Sequence, residues 1–146
     1  MTTPHALDMA PLAGHVGFLL RLAQQRVFDE FHRGFGPAGL SPARYAVLAL
    51  LHANPAVPQA RLAEALRIKP SNLAVLVAEM AGQGLLERQV DASNRRANQL
   101  RLTPAGQALH ARLAPEVLAM ERQVTQPLNP REHATLVKLL ARLNPP

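Results

Sequence analysis

Leu62 to Arg88 reads LAEALRIKPSNLAVLVAEMAGQGLLER, and its spacing decides the fold. Leu62, Ala63 and Leu66 line one face of a short helix near 58–66, and Ile68 closes the turn after it. Leu73, Leu76, Val77 and Met80 then recur at i, i+3, i+4 and i+7, the period of a helix buried on one side over about 70–83. Two short helices joined this tightly pack as a helix-turn-helix. The packing leaves Ser71, Asn72, Ala74, Val75, Ala78 and Glu79 on the outer face of the second helix. An outer face that is polar at its N-terminal end suits base edges in a major groove. An ordinary helical hairpin in an all-α core has the same period, so this segment alone leaves both readings open.

The residues that follow favour the first reading. Leu85–Val90 and Gln99–Thr103 read as short strands, linked by the polar stretch Asp91–Asn98 as a hairpin. Gln59 to Thr103 holds seven cations (Arg61, Arg67, Lys69, Arg88, Arg95, Arg96, Arg101) and four anions (Glu64, Glu79, Glu87, Asp91). A ribbon tipped by the paired Arg95 and Arg96 suits a minor groove or its flanking phosphates, where guanidinium forks meet anionic oxygens. A solvated charged loop is the plainer alternative.

Outward from this centre, Ser41-Pro42, Thr103-Pro104 and Asn129-Pro130 each set a capping side chain before a proline at the first helical position. They open helices expected at 42–53, 104–124 and 130–142. A long helical pattern covers Pro11–His32. Its first half, VGFLLRLA (Val16–Ala23), is apolar almost all round and needs burial that one small domain hardly supplies. The glycine-rich run at 34–39 ends it.

Composition sets the outer limits. The 146 residues fit one domain with helical arms, and 48% are hydrophobic, enough for an aliphatic core. With no cysteine, disulfides, thiolate catalysis and thiolate zinc sites are excluded. The six histidines show no metal-ligand spacing, and neither a nucleophile motif nor a glycine-rich phosphate loop is present. No enzyme activity, cofactor or metal is therefore expected. The net charge is +6, and the pI is near 11.3. Of sixteen cations only Lys69 and Lys138 are lysines, so fourteen are arginines. That balance agrees with a polyanion partner. No apolar run nears the length of a membrane span, and no leader opens the chain, so a cytoplasmic protein is expected.

The chain resembles the MarR family of regulators. The resemblance rests on LSPARYAVLALL (Leu40–Leu51), on the Leu62–Arg88 stretch, on NRRANQLRLTPAGQALH (Asn94–His110) and on the tail PLNPREHATLVKLLARL. It implies a mainly α fold with a small β-hairpin wing: a winged helix-turn-helix (37–103) flanked by dimerisation helices at 1–36 and 104–146. It further implies a homodimer that binds double-stranded DNA at a pseudo-palindromic operator, often as a repressor released by a small molecule. Arg61, Lys69, Ser71, Asn72, Val75, Arg88, Asn94, Arg95 and Arg96 are the expected DNA contacts. The chain departs from the family at Asn94, where Asp is common, and at Ala74-Val75, where Thr-Arg is common. It also has Glu79 where a base is frequent and Lys69 in place of a small capping residue.

The stretch GFLLRLAQQ resembles the first helix of members that respond to aromatic acids or their CoA thioesters. His15, Phe18, Arg21 and Tyr45 are the expected effector contacts, with Arg21 the lone charge in an apolar run. A salt bridge within the dimer, or snorkelling to water, would serve Arg21 as well. A second functional reading stays open. The apolar outer positions Ala74, Val75 and Ala78, with Glu79, would fit a winged-helix dimer that works mainly through protein–protein contacts.

Overall fold

The computed structural model describes residues 7–90 and 98–144. In chain order the elements are α1 (Val16–Phe35), a 3₁₀ turn (Gly36–Ala38), α2 (Pro42–Ala53), β1 (Val57–Pro58), α3 (Gln59–Leu66) and α4 (Pro70–Gly82). They continue with β2 (Leu86–Val90), β3 (Asn98–Leu102), α5 (Pro104–Val124) and α6 (Pro130–Leu143). The fold is mainly helical with one small antiparallel sheet, the winged helix-turn-helix expected from the sequence.

The caps form as the Ser-Pro, Thr-Pro and Asn-Pro pairs predict. Ser41 accepts from the Arg44 amide at the start of α2, and Thr103 accepts from the Gly106 amide at the start of α5. Asn129 accepts from the Arg131 and Glu132 amides, while the Glu132 carboxylate returns to the Asn129 amide in a full capping box.

Three details differ from the expectation. The sheet has three strands in the order β1-β3-β2, because Val57 and Pro58 pair with Leu100 and Gln99. Two residues are too few for alternation to announce a strand. Second, α1 begins at Val16, since residues 9–14 form hydrogen-bonded turns instead, and His15 becomes its N-cap without a side-chain bond. Third, α1 continues through Gly34 to Phe35, held by Phe31 and Phe35, which are buried with ring centroids 4.8 Å apart.

The core gathers Phe31 and Phe35, Val47, Leu48 and Leu51 of α2, Leu62 of α3, and Leu73, Val77 and Met80 of α4 around Leu100 of β3. Arg67, in the left-handed region at φ 51°, closes the helix-turn-helix, and the Ile68 amide donates to the Ala63 carbonyl at 3.0 Å. No residue of α6 is buried, and Val16, Leu19, Leu20 and Leu22 of α1 are exposed. Among the described residues no helix is long and apolar enough to cross a membrane.

Candidate nucleic-acid interface

The second helix of the helix-turn-helix, α4, keeps Leu73, Val77 and Met80 buried and turns Ser71, Asn72, Val75, Ala78 and Glu79 outward. Val75 is 60% exposed, a large apolar side chain on an outer face. The N-cap Lys69 supplies no side-chain capping bond, as is also the case at α1 and α3, whereas α2, α5 and α6 are capped. The first-turn amides of a helix have no intrahelical acceptor, and an uncapped N-terminus offers them to an anion. Lys69, Ser71 and Asn72, all exposed, surround that end.

Behind α4, a joint fixes the ribbon to the rest of the lobe. Gly84 takes φ +69°, which lets the chain reverse after α4. The Thr103 hydroxyl donates to the Gly84 carbonyl at 2.5 Å, and the Thr103 amide donates to the Leu85 carbonyl at 3.1 Å. Gly106 lies so close beneath that an added Cβ would overlap the Leu85 carbonyl. Gly84, Thr103 and Gly106, all within the stretches that carry the family resemblance, therefore have one physical task, bringing α5 against the root of the ribbon.

On the ribbon Arg88 is exposed, and Arg101 pairs across the strands with Glu87 at 2.5 Å. Arg61 on α3 pairs with Glu64 at 2.9 Å, both side chains well exposed. Asn94, Arg95 and Arg96, expected at the wing tip, lie outside the described residues.

The expected effector residues fall in two places. Arg21 lies over the Phe18 ring at 5.3 Å, with His15 one turn before it at the exposed start of α1. Arg21 also lines a groove of about 850 Å³ between α1 and the α5–α6 end, beside Leu20, Val27, Glu121, Leu136 and Val137. Tyr45 is elsewhere, with its ring 6.2 Å from that of Phe31. From Phe18 to Phe31 the helix rises about 20 Å, so Tyr45 does not meet the Phe18–Arg21 pair within one chain.

Tyr45 instead joins an aromatic stack that sequence reasoning missed. His110 of α5 stacks on Tyr45 at 6.2 Å and on His52 of α2 at 4.2 Å. His52 Nδ1 donates to Gln107 Oε1 at 2.6 Å. His110 is only 9% exposed, and its Nδ1 has no hydrogen-bond partner among the described residues. Burial, then the neighbouring His52, push the His110 pKa down; burial, then Glu121, push the Tyr45 hydroxyl up. The signal was present in the helical period: Tyr45, Leu48 and His52 share a face of α2, as Gly106, His110, Leu113 and Val117 do of α5. Among the described residues no cluster of three metal-ligating side chains occurs.

Comparison with known proteins agrees with this architecture. A family model described as MarR family matches residues 38–97. A curated protein of Thauera aromatica, a putative transcriptional regulatory protein for the hcr operon, is 32% identical over 133 residues, spanning 90% of this chain and 80% of the relative. The solved transcriptional repressor CouR, bound to a 23-mer DNA duplex, is 34% identical with a TM-score of 0.88, over 96% of this chain and 99% of that one. Bordetella bronchiseptica BpsR, solved in a study of how 6-hydroxynicotinic acid regulates its DNA binding, is 27% identical with a TM-score of 0.86 over 92% and 96%. A ribbon locked to α5 through Thr103 and Gly106, and likeness over nearly the whole length, lead to one assignment: the chain belongs to the MarR family of transcriptional regulators.

Proposed function

We propose that this protein is a DNA-binding repressor that works as a homodimer on a pseudo-palindromic operator in the cytoplasm. The observation that carries the reading is α4. Its apolar side is spent on the core, while Lys69, Ser71, Asn72 and Val75 stand outward around an uncapped N-terminus. Asn72 can pair with an adenine edge and Val75 can meet a thymine methyl. Arg61, Arg88, Asn94, Arg95 and Arg96 then serve phosphates and the minor groove. Residues 1–36 and 104–146 are the dimerisation segments around the reading lobe at 37–103. Support for pairing comes from the apolar residues of α1 and α6 that one chain leaves exposed. No step of this function requires chemistry on a substrate.

Fluorescence anisotropy on duplex DNA at several salt concentrations tests the reading. Affinity should fall steeply with salt, by about 0.9 decade per decade of salt for each phosphate contacted. Absence of salt-dependent binding would leave the protein–protein reading in its place.

The same proposal includes an effector, a small aromatic carboxylate or its CoA thioester. Arg21 would neutralise a carboxylate while Phe18 packs on the ring, and BpsR, with its 6-hydroxynicotinic acid, is a relative of matching ligand class. A single ligand touching His15, Phe18 and Arg21 as well as Tyr45 would lie between two chains, since one chain holds them apart. Couplings of this kind are typically about 1–3 kcal/mol, so operator affinity should drop roughly five- to 150-fold. Titration of benzoates, hydroxycinnamates and their thioesters against wild type and Arg21→Ala tests it. Binding that survives Arg21→Ala unchanged would move the site.

A further inference from the structure

Glu79 stands where the family often carries a base, and on an outer face a carboxylate would repel DNA. The structure gives it an occupation. Arg44 of α2, with its side chain only 15% exposed, reaches Glu79 Oε2 with Nη2 at 3.3 Å. Its Nη1 donates to the Gly39 carbonyl at 2.6 Å. Gly39, at φ +73°, is the turning point between the 3₁₀ turn that ends the α1 arm and the start of α2. One guanidinium thus binds three pieces together: α2, the elbow at the foot of the arm, and α4.

The position of Glu79 on α4 gives this link its meaning. Asn72, Val75 and Glu79 are spaced i, i+3 and i+7, and seven residues bring a helix back to within about 20° of the same azimuth. Glu79 therefore sits on the stripe that carries Asn72, about 10 Å further along the axis. Apolar packing through Leu73, Val77 and Met80 holds α4 against the core but is non-directional. A fork with two fixed bonds is directional. A rotation of α4 by about 15° would swing a side-chain tip near 6 Å from the axis by about 1.5 Å, more than the whole useful range of a hydrogen bond.

Resting on the DNA-binding reading above, we propose that Arg44 is a positioning residue: through Glu79 and the Gly39 carbonyl it fixes the rotation of α4 relative to the arm, and so sets sequence discrimination by Asn72 without touching DNA.

The test uses the full-length protein and a duplex enriched by the wild type from a random-sequence pool. The quantity read is the ratio of affinities for that duplex and for random duplex. Loss of folded protein lowers both affinities alike, and loss of a surface charge raises both alike, so neither moves the ratio. Glu79→Gln, at an exposed position, keeps the fold and should lower the ratio about tenfold, within the range seen for residues that act at a distance. Arg44→Lys, which keeps the charge and loses the fork, should lower it as well. Arg44→Met with Glu79→Gln should be no worse than Arg44→Met alone. The fall should come from weaker binding to the enriched duplex. Variants whose ratio stays within about twofold of wild type would overturn the proposal while leaving DNA binding intact. A wild type that enriches no duplex would remove the DNA-binding reading and this proposal with it.

Discussion

A methyl group on Gly106 would overlap the carbonyl oxygen of Leu85, and the same carbonyl accepts from the Thr103 amide at 3.1 Å. Neither backbone can yield without opening the joint between α5 and the ribbon. Gly106→Ala should therefore destabilise the protein by about 1–3 kcal/mol or more, the range of overpacked cores. Urea denaturation would check it, and an unchanged midpoint would show that the joint gives way easily. His110 supports a second prediction at this scale. Its pKa is lowered in the folded chain by burial and by His52, so the unfolded chain takes up the proton first as pH falls. Stability is complete above the ordinary histidine value of about 6.5 and declines below it, since protonation favours the unfolded state. Tyr45 acts oppositely at high pH: with its pKa raised, stability is complete below about 10 and lost above it. His110→Leu should flatten the acid limb in a melting series between pH 7 and pH 5. At neutral pH it should change stability by no more than about 1 kcal/mol, because the substituted ring had an unpaired nitrogen.

At the scale of elements, α4 and the ribbon should divide the labour of binding. Asn72→Ala should cost about 1–3 kcal/mol at one or two base pairs and little on random DNA. Arg95→Ala with Arg96→Ala should weaken all duplexes alike and reduce the salt slope by about one unit for each phosphate no longer neutralised. Binding assays on paired cognate and random duplexes distinguish the two, and an unchanged slope would remove Arg95 and Arg96 from the interface. These elements were readable in the sequence because each announces itself locally. Leu73, Leu76, Val77 and Met80 carry the helical period, and proline after Ser41, Thr103 and Asn129 marks where helices open. What escaped was whatever depends on distant partners. β1 has only Val57 and Pro58, and exists because Leu100 and Gln99 lie opposite. Arg44 and Glu79 are far apart in sequence, and nothing in either segment states their register. The proposed effector residues show the same limit: helical spacing placed Phe18 and Arg21 together, but gave no measure of how far along α1 the α2 helix crosses.

At the scale of the molecule, one chain leaves a large apolar surface wet. Val16 is 62% and Leu143 61% exposed, and between them α1 and α6 also expose Leu19, Leu20, Leu22, Phe28, Leu136, Val137 and Leu139. On the proposed dimer this surface is covered only by association, so thermal midpoints should rise with protein concentration. Calorimetry over a hundredfold range of concentration checks this; midpoints that do not move would argue for a stable monomer. Deleting residues 1–33 should leave aggregated or unfolded protein, because α5 would lose the α1 helix that packs against it. The separation of these arms from the reading surface also has a genetic meaning. In the proposed dimer, a copy with a ruined α4 and intact arms would still pair with a healthy copy, and a pair with one working lobe would not span a two-part site. In a cell expressing both alleles equally, most pairs carry at least one spoiled copy. Lesions in α4 should therefore be inherited as dominant loss of repression, while lesions that spoil the arms, unable to poison their neighbours, should be recessive.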